Sequence, residues 1–229
     1  HDDVPAATAP LAKVSRYAWG ADYHHLLRKK LRRLRKALLE LVPGGKCAPF
    51  NDVDAVLERG WAEAAGLGFI GKSAMLIHKE LGTWTFLGGL ATDVDLGPAR
   101  RRLVVDGCGS CTACLDACPT HAIVSPRVVD ANKCLVTWNV EEPSDARGDA
   151  PAFTGHGWAV GCDVCQEVCP WNRFQQPTRE PRFHAPSPDR KAYAADAPPQ
   201  DISGSPLLRP GADALPHLAA RALKRRDPA

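Results

Sequence analysis

The 229-residue chain has no apolar run near the ~18 residues a membrane helix needs, which excludes a transmembrane helix. The opening residues are not expected to be a secretory leader either. His1-Asp2-Asp3 opens without methionine and without the basic-then-apolar pattern of a secretory signal. The sequence therefore reads as cut from a longer chain and as cytoplasmic. Strong net charge is also absent: 29 Lys and Arg against 26 Asp and Glu leave +3. The protein as a whole is not an anion-binding surface, although one segment is a candidate. Residues 11–46 carry ten Lys and Arg against only Asp22 and Glu40. No internal repeat recurs apart from two groups of cysteines. Hydrophobic residues make up 45% and charged residues 24%, which excludes wholesale disorder and allows a core in one or two domains.

Cysteine is what the chain has in excess. Eight of its nine cysteines fall between Cys108 and Cys169. A disulfide-stapled secreted protein is shorter and spreads its cysteines more evenly. Cys108, Cys111, Cys114 and Cys118 form C-x2-C-x2-C-x3-C followed by Pro119, the ferredoxin run that ligates a 4Fe–4S cluster. Cys134 stands alone. Cys162, Cys165 and Cys169 repeat the pattern and are followed by Pro170. Three thiolates at this spacing wrap one cubane, and the fourth, before a proline turn, points to the other cluster. One cluster then takes Cys108, Cys111, Cys114 and Cys169. The second takes Cys118, Cys134, Cys162 and Cys165. Structural zinc is the alternative, but its ligands come as separated pairs and three cysteines at this spacing are too crowded. Cys47 lies outside the set, in the loop after Pro43-Gly44-Gly45, with no assigned role.

Elsewhere the spacing predicts a helix from Tyr23 to about Val42. Leu27, Leu31, Leu34, Leu38 and Leu41 draw one apolar stripe, and seven cations lie between Arg28 and Lys36. Pro43-Gly44-Gly45 stops this helix. A second helix is expected from near Asn51 or Asp52 to Gly66, then short strands and tight turns over 66–92. Pro98 and Arg100-Arg101-Arg102 mark a linker. Beyond Phe174 the chain is Pro-rich and irregular, with a short helix near Asp213–Lys224. The glycines of 66–71 lack the spacing of a phosphate-binding loop.

About 105 residues precede the cysteines with motifs foreign to ferredoxins. They include Tyr17-Ala18-Trp19-Gly20-Ala21-Asp22-Tyr23-His24, the run Asp52 to Arg59, Gly66 to Ser73, and Leu81 to Gly88. Cys162-Asp163-Val164-Cys165-Gln166-Glu167-Val168-Cys169-Pro170-Trp171-Asn172 completes the order. From about Lys13 to Phe174 the chain resembles epoxyqueuosine reductases. The family departures are Ser73-Ala74, Gly89, the stretch Leu135 to Val140, and residues 141–156.

That resemblance implies an α+β protein: part of an α/β cobalamin-binding domain over 1–102, then a ferredoxin-like two-cluster domain over 103–176. A Pro-rich tail with a short helix fills 177–229. It implies an oxidoreductase with cobalamin and two 4Fe–4S clusters, which removes the epoxide oxygen of epoxyqueuosine in a tRNA anticodon loop. Asp52 matches the family's proton donor. Tyr17, His24, Lys72, Phe86, Cys162 and Asp163 fall in segments that surround the cobalamin. The expected partners are tRNA, through the basic helix, and an unidentified low-potential electron donor, with the protein a monomer away from membranes. Asp22-Tyr23-His24-His25 lacks the glycine of D-x-H-x-x-G, so no histidine is expected on cobalt. Two rival functions stand: a two-cluster electron carrier, and a corrinoid iron–sulfur reductase of a small molecule. Each residue also has a plainer reading, Asp52 as a helix cap and the basic helix as a solvated face.

Overall fold

The computed structural model describes residues 10–97, 105–142 and 155–224. The expected linker at Pro98–Arg102 and most of the departure at 141–156 lie outside the described residues, as do residues 1–9 of the opening loop.

Strand β1 (Ala12–Val14) alternates buried, exposed, buried. Helix α1 (Tyr23–Leu41) follows. Its start is fixed by Asp22, whose side chain accepts from the His24 amide at 2.9 Å. Next come strand β2 (Cys47–Asn51), helix α2 (Glu58–Ala64) and the short strands β3 (Phe69–Ile70), β4 (Leu76–Ile77) and β5 (Gly88–Thr92). β2 and β5 pair antiparallel, as do β3 and β4. α1 packs on the β2–β5 ribbon. There Gly88 leaves room for Leu31; an added Cβ would lie 3.0 Å from the leucine methyl.

The cysteine region adds helix α3 (Ala113–Ala117), strands β6 (Ile123–Ser125) and β7 (Val128–Val129), one π-helical turn at Thr137–Glu141, strand β8 (Trp158–Val160) and helix α4 (Val164–Glu167). Strand β9 (Ala192–Tyr193) and helix α5 (Leu215–Leu223) end the described chain. β1 lies between β8 and β9, parallel to the first and antiparallel to the second. The stretch read in the sequence as a Pro-rich tail thus supplies a strand to the sheet that begins the described chain. It also fills the core. Tyr193, Ile202, Leu207, Leu215 and Leu218 are buried with Val14, Val140 and Val160, and the Tyr193 hydroxyl donates to the Leu215 carbonyl at 3.1 Å. Among the described residues no helix is long and apolar enough to cross a membrane.

Three local expectations need correction. The leucine stripe of α1 is only partly covered: Leu31 is buried but Leu34 and Leu41 are 57% and 82% exposed. A two-stranded ribbon is too narrow to cover the whole helix. Helix α2 begins at Glu58, not at Asn51 or Asp52. Asn51 is drawn into β2 opposite Gly88, and Asp54 accepts from the Asn51 amide at 2.9 Å to close the turn. Asp52 therefore caps no helix. Cys47 begins β2 rather than sitting in a loop, and its carbonyl accepts from Arg35 Nε at 2.7 Å.

If the C-terminal elements are integral to the core, Leu218→Ala should destabilise the protein by about 2–5 kcal/mol. Leu208→Ala, at a 52% exposed site, should change stability by at most ~0.5 kcal/mol. Urea unfolding of both variants checks this, and equal midpoints would contradict it.

Candidate active site

The two cysteine groups are bent by the same device. Cys118 and Cys169 each precede a proline and are extended, with φ/ψ of −61/114° and −71/120°. The proline ring disfavours helix at the residue before it. Each cysteine is thus turned out of the helix preceding it, α3 or α4, which pack against one another. The charge environment of each thiol identifies its neighbours. Burial pushes the Cys114 thiol up, and so do Cys108, Cys169 and Cys111 nearby. Cys169 is raised by burial and by Cys108 and Cys111. Cys162 is pushed up to about 12 by burial, with Asp163, Cys134 and Cys118 adding to the effect. Cys165 is raised by burial and by Cys162, Cys134 and Cys118. The thiols thus gather as two tetrads, with Cys118 and Cys169 exchanged between the loops.

The first tetrad lines a cavity of about 340 Å³ together with Lys72 and Trp171. Among the described residues no group of three His, Cys, Asp or Glu side chains is arranged for a metal ion. Amide donors reach both tetrads: Lys72 N–H to Cys108 Sγ at 3.4 Å and Ala122 N–H to Cys118 Sγ at 3.2 Å. Burial raises the Cys118 thiol, but hydrogen bonds from the backbone at Thr120, Ile123 and Ala122 outweigh it, and the net shift is downward.

Asp52 follows β2 and faces the start of α1. The Tyr23 hydroxyl donates to its Oδ2. His24 Nε2 lies 3.1 Å from Oδ1 but is not aligned to hydrogen-bond. On its other side the His24 ring is held by Asp22, with Nδ1 2.6 Å from Oδ1. Tyr23 stacks on Phe86 at 4.2 Å and 8°, and its edge meets Tyr17 at 6.3 Å. Tyr17, His24, Phe86 and Asp52 therefore meet around Tyr23, a residue the sequence reading passed over although it sits inside a quoted motif.

Asp163 joins this wall to the second tetrad. It is 1% exposed, accepts from Ser15 Oγ at 2.5 Å and from the Arg16 amide at 2.7 Å, and neighbours Cys162. Burial pushes its carboxyl up to about 6, against the pull of those two hydrogen bonds. Gly161, with φ +69°, lets the chain pass; a Cβ there would lie 2.4 Å from that of Ser15 and 3.0 Å from the Tyr17 ring. Asn139 holds the same turn, exchanging hydrogen bonds with Gly161 at 2.9 and 3.1 Å. Neither Ser15 nor Asn139 was distinguishable by sequence spacing. Lys72 stands apart from the wall. Its ammonium donates to the Gly109 and Cys111 carbonyls at 2.7 and 2.9 Å, on the first cysteine loop.

Two family models match separate segments of the chain. Residues 107–172 match the family described as a 4Fe-4S double cluster binding domain, and residues 2–53 match "Epoxyqueuosine reductase QueG, DUF1730". An epoxyqueuosine reductase of Synechocystis is 47% identical over 167 residues, 72% of this chain and 57% of its own length. The chain belongs to the epoxyqueuosine reductase family. Among solved epoxyqueuosine reductases, one from Bacillus subtilis, with its catalytic aspartate loop swung out of the active site, superposes with a TM-score of 0.83 at 27% identity. It covers 97% of this chain and 60% of the other. Another, with an epoxyqueuosine-modified tRNA-Tyr stem loop, gives 0.79 at 28% identity over the same shares of the two chains. The chain spans less than two thirds of the length of these relatives. All eight clustered cysteines of this epoxyqueuosine reductase family member fall inside its double-cluster domain.

The aromatic wall makes a measurable prediction. Burial raises the hydroxyls of Tyr17, Tyr23 and Tyr193, the chain's three tyrosines. Phenols raised in the folded state contribute stability below the unfolded value, about pH 10, and lose it as pH climbs past that. Ultraviolet titration of the native protein should show almost no tyrosinate at about pH 10. Half-ionised tyrosine there, with the fold intact, would contradict the buried placement.

Proposed function

We propose that the chain is an oxidoreductase that converts epoxyqueuosine to queuosine in tRNA. The observation that carries the reading is Asp52, held by the Tyr23 hydroxyl, with His24 Nε2 3.1 Å from its other oxygen, and left 36% exposed. Epoxide becomes alkene when two electrons and two protons enter, both C–O bonds break, and the oxygen leaves as water. Breaking the first bond puts negative charge on oxygen, and a proton donor at that point lowers the barrier. Asp52 is that donor, with Tyr23 fixing one carboxyl oxygen. The catalytic aspartate loop of the Bacillus subtilis relative supports this role.

Cys108, Cys111, Cys114 and Cys169 are the ligands of one 4Fe–4S cluster, and Cys118, Cys134, Cys162 and Cys165 those of the other. Clusters in such sites supply single electrons at low potential. Tyr17, His24, Phe86, Cys162 and Asp163 line the cobalamin side. The fit rests on buried polar atoms left without partners there: the Tyr17 hydroxyl, His24 Nε2 and both amide atoms of Asn51. Cobalamin, when bound, supplies a strongly reducing cobalt for C–O cleavage. On this reading residues 1–102 belong to the cobalamin-binding part and 103–176 to the ferredoxin-like part.

The basic face of α1 is divided in use. Arg28 pairs with Asp54, Lys30 with Glu180, and Arg35 serves the Cys47 carbonyl. Lys29, Arg32 and Arg33 are exposed and have no carboxylate partner among the described residues. They are the cations available to tRNA phosphates. The solved relative with a modified tRNA stem loop supports that partner.

The test is nucleoside analysis of epoxyqueuosine-containing tRNA after anaerobic incubation with the reconstituted protein and a low-potential reductant. Asp52→Asn should lower turnover by ~10²–10⁴ while iron content and thermal midpoint stay unchanged. Wild-type turnover in this variant would remove Asp52 from the role, and no conversion by the unaltered protein would remove the reaction. Replacing Lys29, Arg32 and Arg33 with Ala should flatten the salt dependence of tRNA binding by a log–log slope of about 1 per lost contact.

A further inference from the structure

We propose that Lys72 sets the reduction potential of the cluster held by Cys108, Cys111, Cys114 and Cys169, a role that rests on those four thiols being its ligands. The lysine lies at the tip of the β3–β4 hairpin, some distance in sequence from any cysteine. The tip is a closed turn: Gly71 N–H donates to the Met75 carbonyl at 2.9 Å, and Ala74 N–H to the Gly71 carbonyl at 2.9 Å. Ala74 takes a left-handed φ of +61° to make it. Gly71 lets the tip press close, since a Cβ there would fall 2.5 Å from Ile77 Cδ1 and 3.4 Å from Cys108 Sγ. The Lys72 carbonyl accepts from the Arg127 amide at 2.9 Å, which ties the tip to the β6–β7 turn as well.

Held in this way, Lys72 meets the first tetrad twice. Its amide points at Cys108 Sγ, 3.4 Å away. Its ammonium sits on the Gly109 and Cys111 carbonyls, in the wall of the cavity the four thiols line. The other cations nearby are otherwise engaged. Arg127 pairs with Asp106 at 3.1 Å, and Arg173 donates to the Pro170 carbonyl at 2.9 Å with its guanidinium 5.3 Å from the Phe174 ring centre. The Asp106 carboxylate also accepts from the Cys108 amide at 2.9 Å.

A 4Fe–4S cluster with four thiolates gains one negative charge when it takes an electron. Hydrogen bonds to its sulfurs and nearby charge set how readily it does so. A fixed ammonium at the rim stabilises the reduced, more negative form, and the amide donor acts in the same direction. The second tetrad has its own amide donor at Cys118, and Lys133, beside Cys134, faces the Asp130 carboxylate at 3.8 Å, whereas Lys72 is bound to the first loop. The two clusters should therefore differ in potential, with the first biased upward by Lys72. This makes Lys72 a positioning residue for electron transfer.

The test is a redox titration of the anaerobically reconstituted full chain, followed by electron paramagnetic resonance, with dithionite as reductant. The first cluster's signal is the one lost in Cys111→Ala. Lys72→Gln keeps donors for the two carbonyls and removes the charge; Lys72→Met removes both; Lys72→Arg keeps the charge. At a fixed ambient potential the reduced-to-oxidised ratio of the first cluster should fall about tenfold in the Gln and Met variants, a shift of ~59 mV for one electron. The Arg variant and the second cluster should stay near the unaltered protein, and iron content should not change in the Gln variant. An unshifted first cluster in Lys72→Gln would overturn the proposal, because Lys72 would then be only a brace for the loop. Absence of iron from the unaltered protein would overturn the ligand assignment on which the proposal rests.

Discussion

Pro119 and Pro170 govern the centre of the molecule because each disfavours helix at the cysteine before it. Cys118 and Cys169 are thereby turned away from the loops that contain their sequence neighbours, and each joins the tetrad built on the other's loop. The exchange welds two loops about fifty residues apart in sequence into one unit, with α3 against α4. Everything nearby is arranged around it. The β3–β4 tip reaches the first loop through Lys72. Asn172 reaches back to the preceding motif, accepting from the Thr83 amide at 2.7 Å and donating to Thr83 Oγ1 at 2.9 Å. Gly82 is required there, since with φ +67° a Cβ would lie 2.0 Å from the Asn172 side-chain oxygen.

Asp163 is the hinge between this unit and the acid wall. A carboxylate this deeply buried is costly unless its oxygens are satisfied. Ser15 and the Arg16 amide satisfy it, and both belong to the segment leading from β1 into the Tyr17–His24 motif. The same segment runs in parallel with β8, which delivers Cys162. One short stretch of chain therefore fixes the second tetrad and the Tyr17 side of the wall together. Arg16 adds a cation stacked 4.7 Å from the Trp84 ring centre, binding a further quoted motif to it. Proximity of the tetrad to the aromatic wall follows from main-chain pairing rather than from side-chain packing alone.

The parts legible in the sequence were those set by local chemistry. Cysteine spacing and the two prolines encode loop geometry directly, and the α1 pattern and its Pro43 stop define a helix within one residue. Long-range pairing was not legible. Asn51 and Asp52 look like a helix start, yet pairing of β2 with β5 claims Asn51 and leaves Asp52 to the α1 side chains. Tyr193, Ile202 and Leu207 carry no periodicity that would mark a core; pairing of β9 with β1 and packing of α5 against β1 and β8 gather them. Lys72 sat in a motif associated with the cofactor side, but the hairpin tip aims it at the first cysteine loop. Tyr23, at the centre of the wall, had no signal beyond its place between two motif residues.

The exchange of Cys118 and Cys169 is the claim on which the account turns. Anomalous diffraction at the iron edge from crystals of the anaerobically reconstituted protein tests it most directly. The account predicts two iron sites, one bonded to Cys108, Cys111, Cys114 and Cys169 and the other to Cys118, Cys134, Cys162 and Cys165. A first site closed by Cys118 and a second by Cys169 would contradict it.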